Sequence, residues 1–260
     1  MNKLPARTGI VWLKQGFNLF RQQPFLLTTL IFLQLIILLL LARVPVLGQV
    51  VPLILVPAFA MSIQQACHLI DEGRPVTIMV ILTGFQGESL SPLLKLGAVY
   101  LVVFMVIMLA MMPFIDMAAL EQFSKTMQAN AGSPRPTMDP EVAASLVTYM
   151  VIPFLFMLVM LLLSFAPALT HWKKMPTFKA IFYSIFAVFG TAAPVLTLIA
   201  ALTGITLLAL PVIGVVLGAT SLVQLVLVWF SMIISLVFQC ALYVAYKQIM
   251  GAPETDAPRK

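Results

Sequence analysis

A chain of 260 residues with 62% hydrophobic and 9% charged side chains cannot close a soluble surface, since a soluble domain carries about 25% charged residues. Lipid as well as protein must therefore cover the apolar side chains. The net charge of +6 does not point to nucleic acid, because the basic residues stand at the ends of apolar runs, as topology signals, and not along a groove.

From the N-terminus, Lys3 and Arg7 precede a short stretch, 12–24, reading W-L-K-Q-G-F-N-L-F-R-Q-Q-P. Here Gly9, Trp12, Leu13, Gly16, Phe17 and Phe20 follow helical spacing, while Lys14, Gln15, Asn18 and Arg21 face away. The pattern predicts an amphipathic interfacial helix with an aromatic anchor. Eighteen almost wholly apolar residues follow, from 25 to 42. That run is too long for a signal-peptide core and no small-x-small cleavage site follows it, so it reads as a retained span.

A span needs about 20 apolar residues. Residues 22–42, 44–70, 96–115, 142–172 and 180–246 hold no Asp, Glu, Lys or Arg, and the last interval has room for two spans with a turn at Pro211. Six spans result, roughly 25–43, 46–68, 93–113, 143–170, 195–210 and 213–245. The repeated absence of charge speaks against β-barrel strands, which alternate polar and apolar residues. With the N-terminus placed in the cytoplasm, twelve of the 15 Lys and Arg residues fall on the cytoplasmic side and only Arg43, Lys125 and Arg135 on the other. Both termini are then cytoplasmic, the loop 114–140 is periplasmic, and 249–260 form a cytoplasmic tail. The loop is rich in Ser, Pro, Gly and Asn, with a mobile second half, a short helix expected in its first half, and Asp139 placed to cap a helix opened by Pro140.

Three units of one plan become visible, about 8–74, 75–175 and 176–248. Gly16-Phe17 lie eight and seven residues before Pro24; Gly84-Phe85 stand likewise before Pro92, and Phe186-Ala187 before Pro194. Each proline opens a span, where a missing N–H costs nothing. Pro45-Val46-Leu47-Gly48 recurs as Pro211-Val212-Ile213-Gly214. Gln65-Ala66-Cys67, Phe165-Ala166-Pro167 and Phe238-Gln239-Cys240 mark matching ends of the second spans. In the third unit Phe178, Phe182, Ile185 and Phe189 form another apolar stripe; the middle stretch, 76–85, is apolar nearly all round and is expected to be buried against the bundle. The fold class is thus an all-α membrane protein, a single integral domain over 1–260, with six transmembrane helices as three helix-hairpin repeats, each preceded by a short interfacial amphipathic helix.

No ionisable residue lies at mid-span, which weighs against a proton-coupled carboxylate relay. Gln34, Gln64, Gln65, Ser164, Gln224 and Gln239 are the polar neutral residues of the spans. Hydrogen bonding between helices is favoured for them over a substrate path. Cys67, His68, His171 and Cys240 all fall near cytoplasmic ends of second spans, and their donor atoms suit Zn or Cu(I). Against a metal site, Cys67 and His68 are adjacent and point about 100° apart on a helix. No CxxC or HxxxH spacing supports them, and buried thiols are common packing groups. Sixteen methionines read as apolar filler. Pro52, Pro57, Pro153, Pro167, Gly97, Gly204 and Gly218, placed inside spans, mark kinks or close approaches. There is no Walker loop, GxGxxG, GxSxG or HExxH.

The W-L-K-Q-G-F-x-x-F-R-x-x-P opening (Trp12, Gly16, Phe20, Pro24), the Pro-Val-Leu-Gly turn and the exit A-C-H-L-I-D-E-G-R-P over 66–75 resemble an uncharacterised family of proteobacterial multi-pass inner-membrane proteins. The resemblance implies compartment and topology, and no reaction. The expected function is non-enzymatic and without cofactor: a membrane scaffold, accessory or lipid-interacting protein, with membrane lipid and a membrane protein or a second copy as partners and no nucleic acid. The alternatives are a small transporter or channel for a neutral or hydrophobic solute, and metal or haem handling.

Overall fold

The computed structural model describes residues 4–45, 47–114, 121, 125, 140–218 and 221–253. Among them six helical stretches are long and apolar enough to cross a membrane, and the described secondary structure is helical throughout. Helix α1 (Thr8–Gln22) leads to α2 (Pro24–Ala42), whose proline sits in the first turn, where N–H groups have no helical partner. A turn at Pro45 reverses the chain into α3 (Leu47–Asp71). A 3₁₀ segment, Ile78–Phe85, precedes α4 (Leu90–Met111). Then come α5 (Pro140–Leu162), the short α6 (Ala166–Trp172), α7 (Thr177–Gly190), α8 (Ala192–Leu217) and α9 (Ser221–Met250). The loop 114–140, with its expected helix and the cap at Asp139, falls almost wholly outside the described residues.

Helix α3 is the hub: it packs on α2, α4, α6, α9, α1 and the 3₁₀ segment. Its contacts are close because small residues face it. A Cβ on Gly97 of α4 would overlap the Ile54 carbonyl, and one on Gly84 would overlap the backbone of Ala58. Small residues at such crossings let backbones approach, which replaces the hydrophobic driving force that lipid removes.

Helix α1 is amphipathic as expected, but its tryptophan is not an exposed anchor. Trp12 is wholly buried and its Nε1–H donates to Gln248 Oε1 of α9 at 2.5 Å. Gly9 meets the backbone of α8 at Pro194 and Leu198, and Gly16 meets Ala241 of α9. The glycines on its apolar stripe bring α1 against α8 and α9, so the tryptophan packs in protein; Ile10, Val11 and Phe17 are the exposed apolar side chains. Helix α7 keeps the expected outward stripe. Phe178, Phe182 and Phe189 are exposed, while Ala180, Ser184 and Ala187 pack inward. The middle segment is covered on one side only: Val80, Ile81 and Gly84 are buried, and Ile78, Met79 and Leu82 are exposed.

The expected turn at Pro211 is corrected. Pro211 lies inside α8, which continues to Leu217 and ends at Gly218 with φ 63°. One absent N–H is tolerated within a membrane helix, and the helix ends instead where glycine takes a positive φ without a Cβ clash. Pro45 and Pro211 therefore play different structural parts, and Gly218 is a helix terminator instead of a span residue. Pro167 lies within the membrane-length stretch Met150–Trp172, in the first turn of α6 after a turn at 163–165.

Candidate functional site

Two sites emerge, one inside the membrane-length part of the bundle and one at the end where α3, α6 and α9 finish. The first is a cleft of about 510 Å³ between α3, α4, α5, α8 and α9. Pro57, Met157, Leu202 and Phe230 give it apolar walls, with Gln64, Ser164, Ser235 and Gln239 as polar points. Gln64 Nε2 donates to Gln239 Oε1 at 3.5 Å, joining α3 to α9 across the cleft. Ser164 Oγ is buried and has no hydrogen-bond partner among the described residues. Its backbone sits at the α5–α6 break, which is why this hydroxyl is not spent on its own helix as those of Thr197 and Thr206 are. A buried orphan hydroxyl beside an apolar cleft leaves one donor for a guest to satisfy.

The second site lies beside three helix ends and is lined by two of them. Helix α3 ends in a Schellman motif: Gly73 has φ 66°, its N–H donates to Ile70 O at 3.0 Å, and Arg74 N–H donates to Leu69 O at 2.9 Å. That geometry turns Arg74 back toward the bundle. Helix α9 likewise ends at Gly251, φ 89°. After α6 the corresponding left-handed residue is Lys174, φ 47°, the one described non-glycine residue with positive φ. A side chain there costs about 1–2 kcal/mol relative to glycine. The exits of α3 and α6, with Val80 and Thr83 of the 3₁₀ segment, frame a cavity of about 510 Å³ with Gln65, His68 and Trp172 inside and Arg74, Lys173 and Lys174 among its lining groups.

Behind it runs a hydrogen-bonded chain. Lys247 Nζ donates to Asp71 Oδ2 at 2.6 Å, and Tyr243 O–H donates to the same oxygen at 2.8 Å. With its proton committed, the tyrosine oxygen accepts from His68 Nδ1–H at 3.1 Å, which assigns the tautomer. His68 Nε2 lies 3.6 Å from Glu72 Oε1. Trp172 packs edge-on against His68 and Tyr243, with centroids 5.7 and 6.0 Å away, and its Nε1–H donates to Gln65 Oε1 at 2.7 Å.

The four metal-ligand candidates separate. Cys67 and Cys240 are free, wholly buried thiols that face each other with Sγ atoms 2.7 Å apart. His68 turns away to Tyr243, and His171 Nδ1 pairs with Ser89 Oγ at 2.9 Å. Among the described residues no group of three or more His, Cys, Asp and Glu side chains is placed to hold a metal ion. Of the polar span residues, Gln64, Gln239 and Gln65 bond between helices, as their placement suggested, and Gln64 and Gln239 also line the cleft. Reading Arg74, Lys173 and Lys174 as topology signals passed over the cavity they share, and Tyr243 drew no notice because a tyrosine in an apolar run carries no spacing signal.

No family model matches the chain, and no solved structure matches it. It is similar along nearly its whole length to a probable inner membrane protein of Burkholderia thailandensis, with 28% identity over 272 residues covering 99% of this chain and 96% of that protein. That likeness and six membrane-length helices together describe a multi-pass inner-membrane protein.

Proposed function

We propose that this is a non-enzymatic, lipid-interacting membrane protein whose cleft holds the apolar part of an amphiphile, an acyl chain being the natural fit. The observation that carries the reading is the cleft itself: about 510 Å³, apolar walls, and a few polar points at Gln64, Gln239 and Ser164. Largely apolar pockets with sparse, placed polar groups are the usual form of small-molecule sites. Among the described residues its lining carries no carboxylate, amine, imidazole or thiol, which supports binding over catalysis. The distribution of Lys and Arg supports an orientation with both termini in the cytoplasm.

The test is extraction of the purified protein from mild detergent, followed by mass spectrometry of what it retains. A stoichiometric amphiphile is expected, lost when Ser164→Phe fills the cleft while the melting temperature holds. Identical retained material from both proteins overturns the reading. Transport of a neutral or hydrophobic solute is the second reading, supported by the same cleft and by Pro57 within it. Solute uptake into proteoliposomes, blocked by Ser164→Phe, separates transport from static binding.

A further inference from the structure

We propose that the cavity framed by Arg74, Lys173 and Lys174 is a site for a phosphate-bearing anion at the membrane surface. The inference goes beyond the cleft and stands whether or not the cleft holds a guest. Three features carry it. The first is charge. Three fixed cations line the cavity and no carboxylate does. The nearest acids lie outside: Glu72 Oε2 is 3.3 Å from Arg74 Nη1, and Glu88 Oε2, on an exposed side chain, is 3.8 Å from Lys174 Nζ. Both are solvent-screened pairs of small worth. Lys173 Nζ donates to Met250 O at 2.8 Å, which leaves it two further hydrogens, and Arg74 has four N–H groups beyond the one on Glu72.

The second feature is construction. His68 is 3% exposed and fixed by Tyr243, so part of the cavity wall is rigid. Trp172 commits Gln65 Oε1 as an acceptor, so the amide hydrogens of Gln65 are what it offers to the cavity. Lys174 holds a left-handed position where the other two exits, after α3 and α9, use glycine. The chain keeps a charge there at the expense of backbone comfort, and observed strain of this kind concentrates at binding sites.

The third feature is depth. Two segments with bare apolar faces flank the cavity: the 3₁₀ segment Ile78–Phe85, with Met79 exposed, and α7, which begins three residues after Lys174 with Phe178 81% exposed. Such faces lie at the acyl–headgroup boundary, which puts the cavity at the height of lipid phosphates. Basic pockets between helices at this level recognise anionic headgroups. A lipid phosphate and a soluble phosphate present the same oxygens, so the experiment must tell them apart.

Full-length protein in micelles would be titrated with phosphatidylglycerol, with phosphatidylcholine and with inorganic phosphate, reading lipid adducts by native mass spectrometry and melting temperature. Selective retention of phosphatidylglycerol, undisturbed by phosphate, supports the headgroup; a phosphate-induced rise in melting temperature, with displacement of the lipid, supports the site with a soluble source. Lys173→Gln and Lys174→Gln should each weaken binding about fivefold, from about 1 kcal/mol per basic residue near anionic lipid. Lys174→Gly should weaken it equally while holding or raising the melting temperature, a split that a purely structural lysine would not produce. Equal retention of both lipids with no response to phosphate overturns the proposal. So does an equal loss of binding in the control Lys14→Gln, an exposed lysine of α1 that does not line the cavity. Ser164→Phe should leave phosphatidylglycerol selectivity intact, which keeps failure here distinct from failure of the cleft.

Discussion

Helices α3 and α8 are both of membrane length, yet 50% of the most apolar stretch of α3 is buried within the bundle against 6% for α8. The less hydropathic helix is the one at the centre, the reverse of a soluble protein. The reason is that lipid solvates leucine as well as protein does but cannot satisfy an amide or an imidazole. Ser62, Gln64, Gln65 and His68 of α3 each have a partner on another element. Two of the three threonines of α8, Thr197 and Thr206, return their hydroxyls to their own backbone, and Leu207, Leu208 and Val215 face outward. Between these two helices, the one with polar side chains to satisfy is the one packed at the centre.

The contrast can be broken at several strengths. Phe59 of α3 is 2% exposed and meets Phe85 edge-on at 5.0 Å. Phe→Ala costs about 3–5 kcal/mol in a soluble core; in lipid the transfer part falls away and the packing part stays, so Phe59→Ala should cost about 2–3 kcal/mol. Leu208→Ala on the exposed face of α8 should stay within about 0.5 kcal/mol. Denaturant-induced unfolding in micelles reads both, and equal losses would sink the contrast.

Next in size is glycine. Gly97→Ala drives a Cβ into the Ile54 carbonyl of α3, and such overpacking costs about 1–3 kcal/mol. Gly204→Ala in α8 meets nothing and should gain roughly 0.5–1 kcal/mol from helix propensity. Opposite signs are the expected result in the same unfolding assay. Smaller again is Gln64→Leu, which removes the bond to Gln239 and should cost about 0.6–2 kcal/mol, whereas Thr206→Val should be silent.

The last prediction costs no stability and tests the α3–α9 seam alone. Cys67 and Cys240 face each other, so diamide should join them within one chain, its azo bond taking up the two hydrogens and becoming a hydrazine. Maleimide added under denaturing conditions should then label neither thiol, and both before oxidation. Persistent labelling of both thiols after oxidation would place the two helices apart.

The sequence by itself determined the solvent and the number of crossings, because charge scarcity and run length are additive properties that need no knowledge of neighbours. Six spans, the proline that opens α2 and the inter-helix role of Gln64 and Gln239 were legible in this way. Contacts between distant segments were decided only by the tertiary structure. Trp12 has the spacing of a lipid anchor, but Gly9 and Gly16 admit α8 and α9 so closely that it became core. Pro211 looked like a turn, yet α8 runs through it to Leu217 and stops at Gly218, since a span can absorb a missing N–H and glycine takes the positive φ at which this helix ends. The basic cavity was invisible for a related reason. Arg74 and Lys174 lie 100 positions apart, and only the packing of α6 on α3 gives the charges of two separate helix exits a common space.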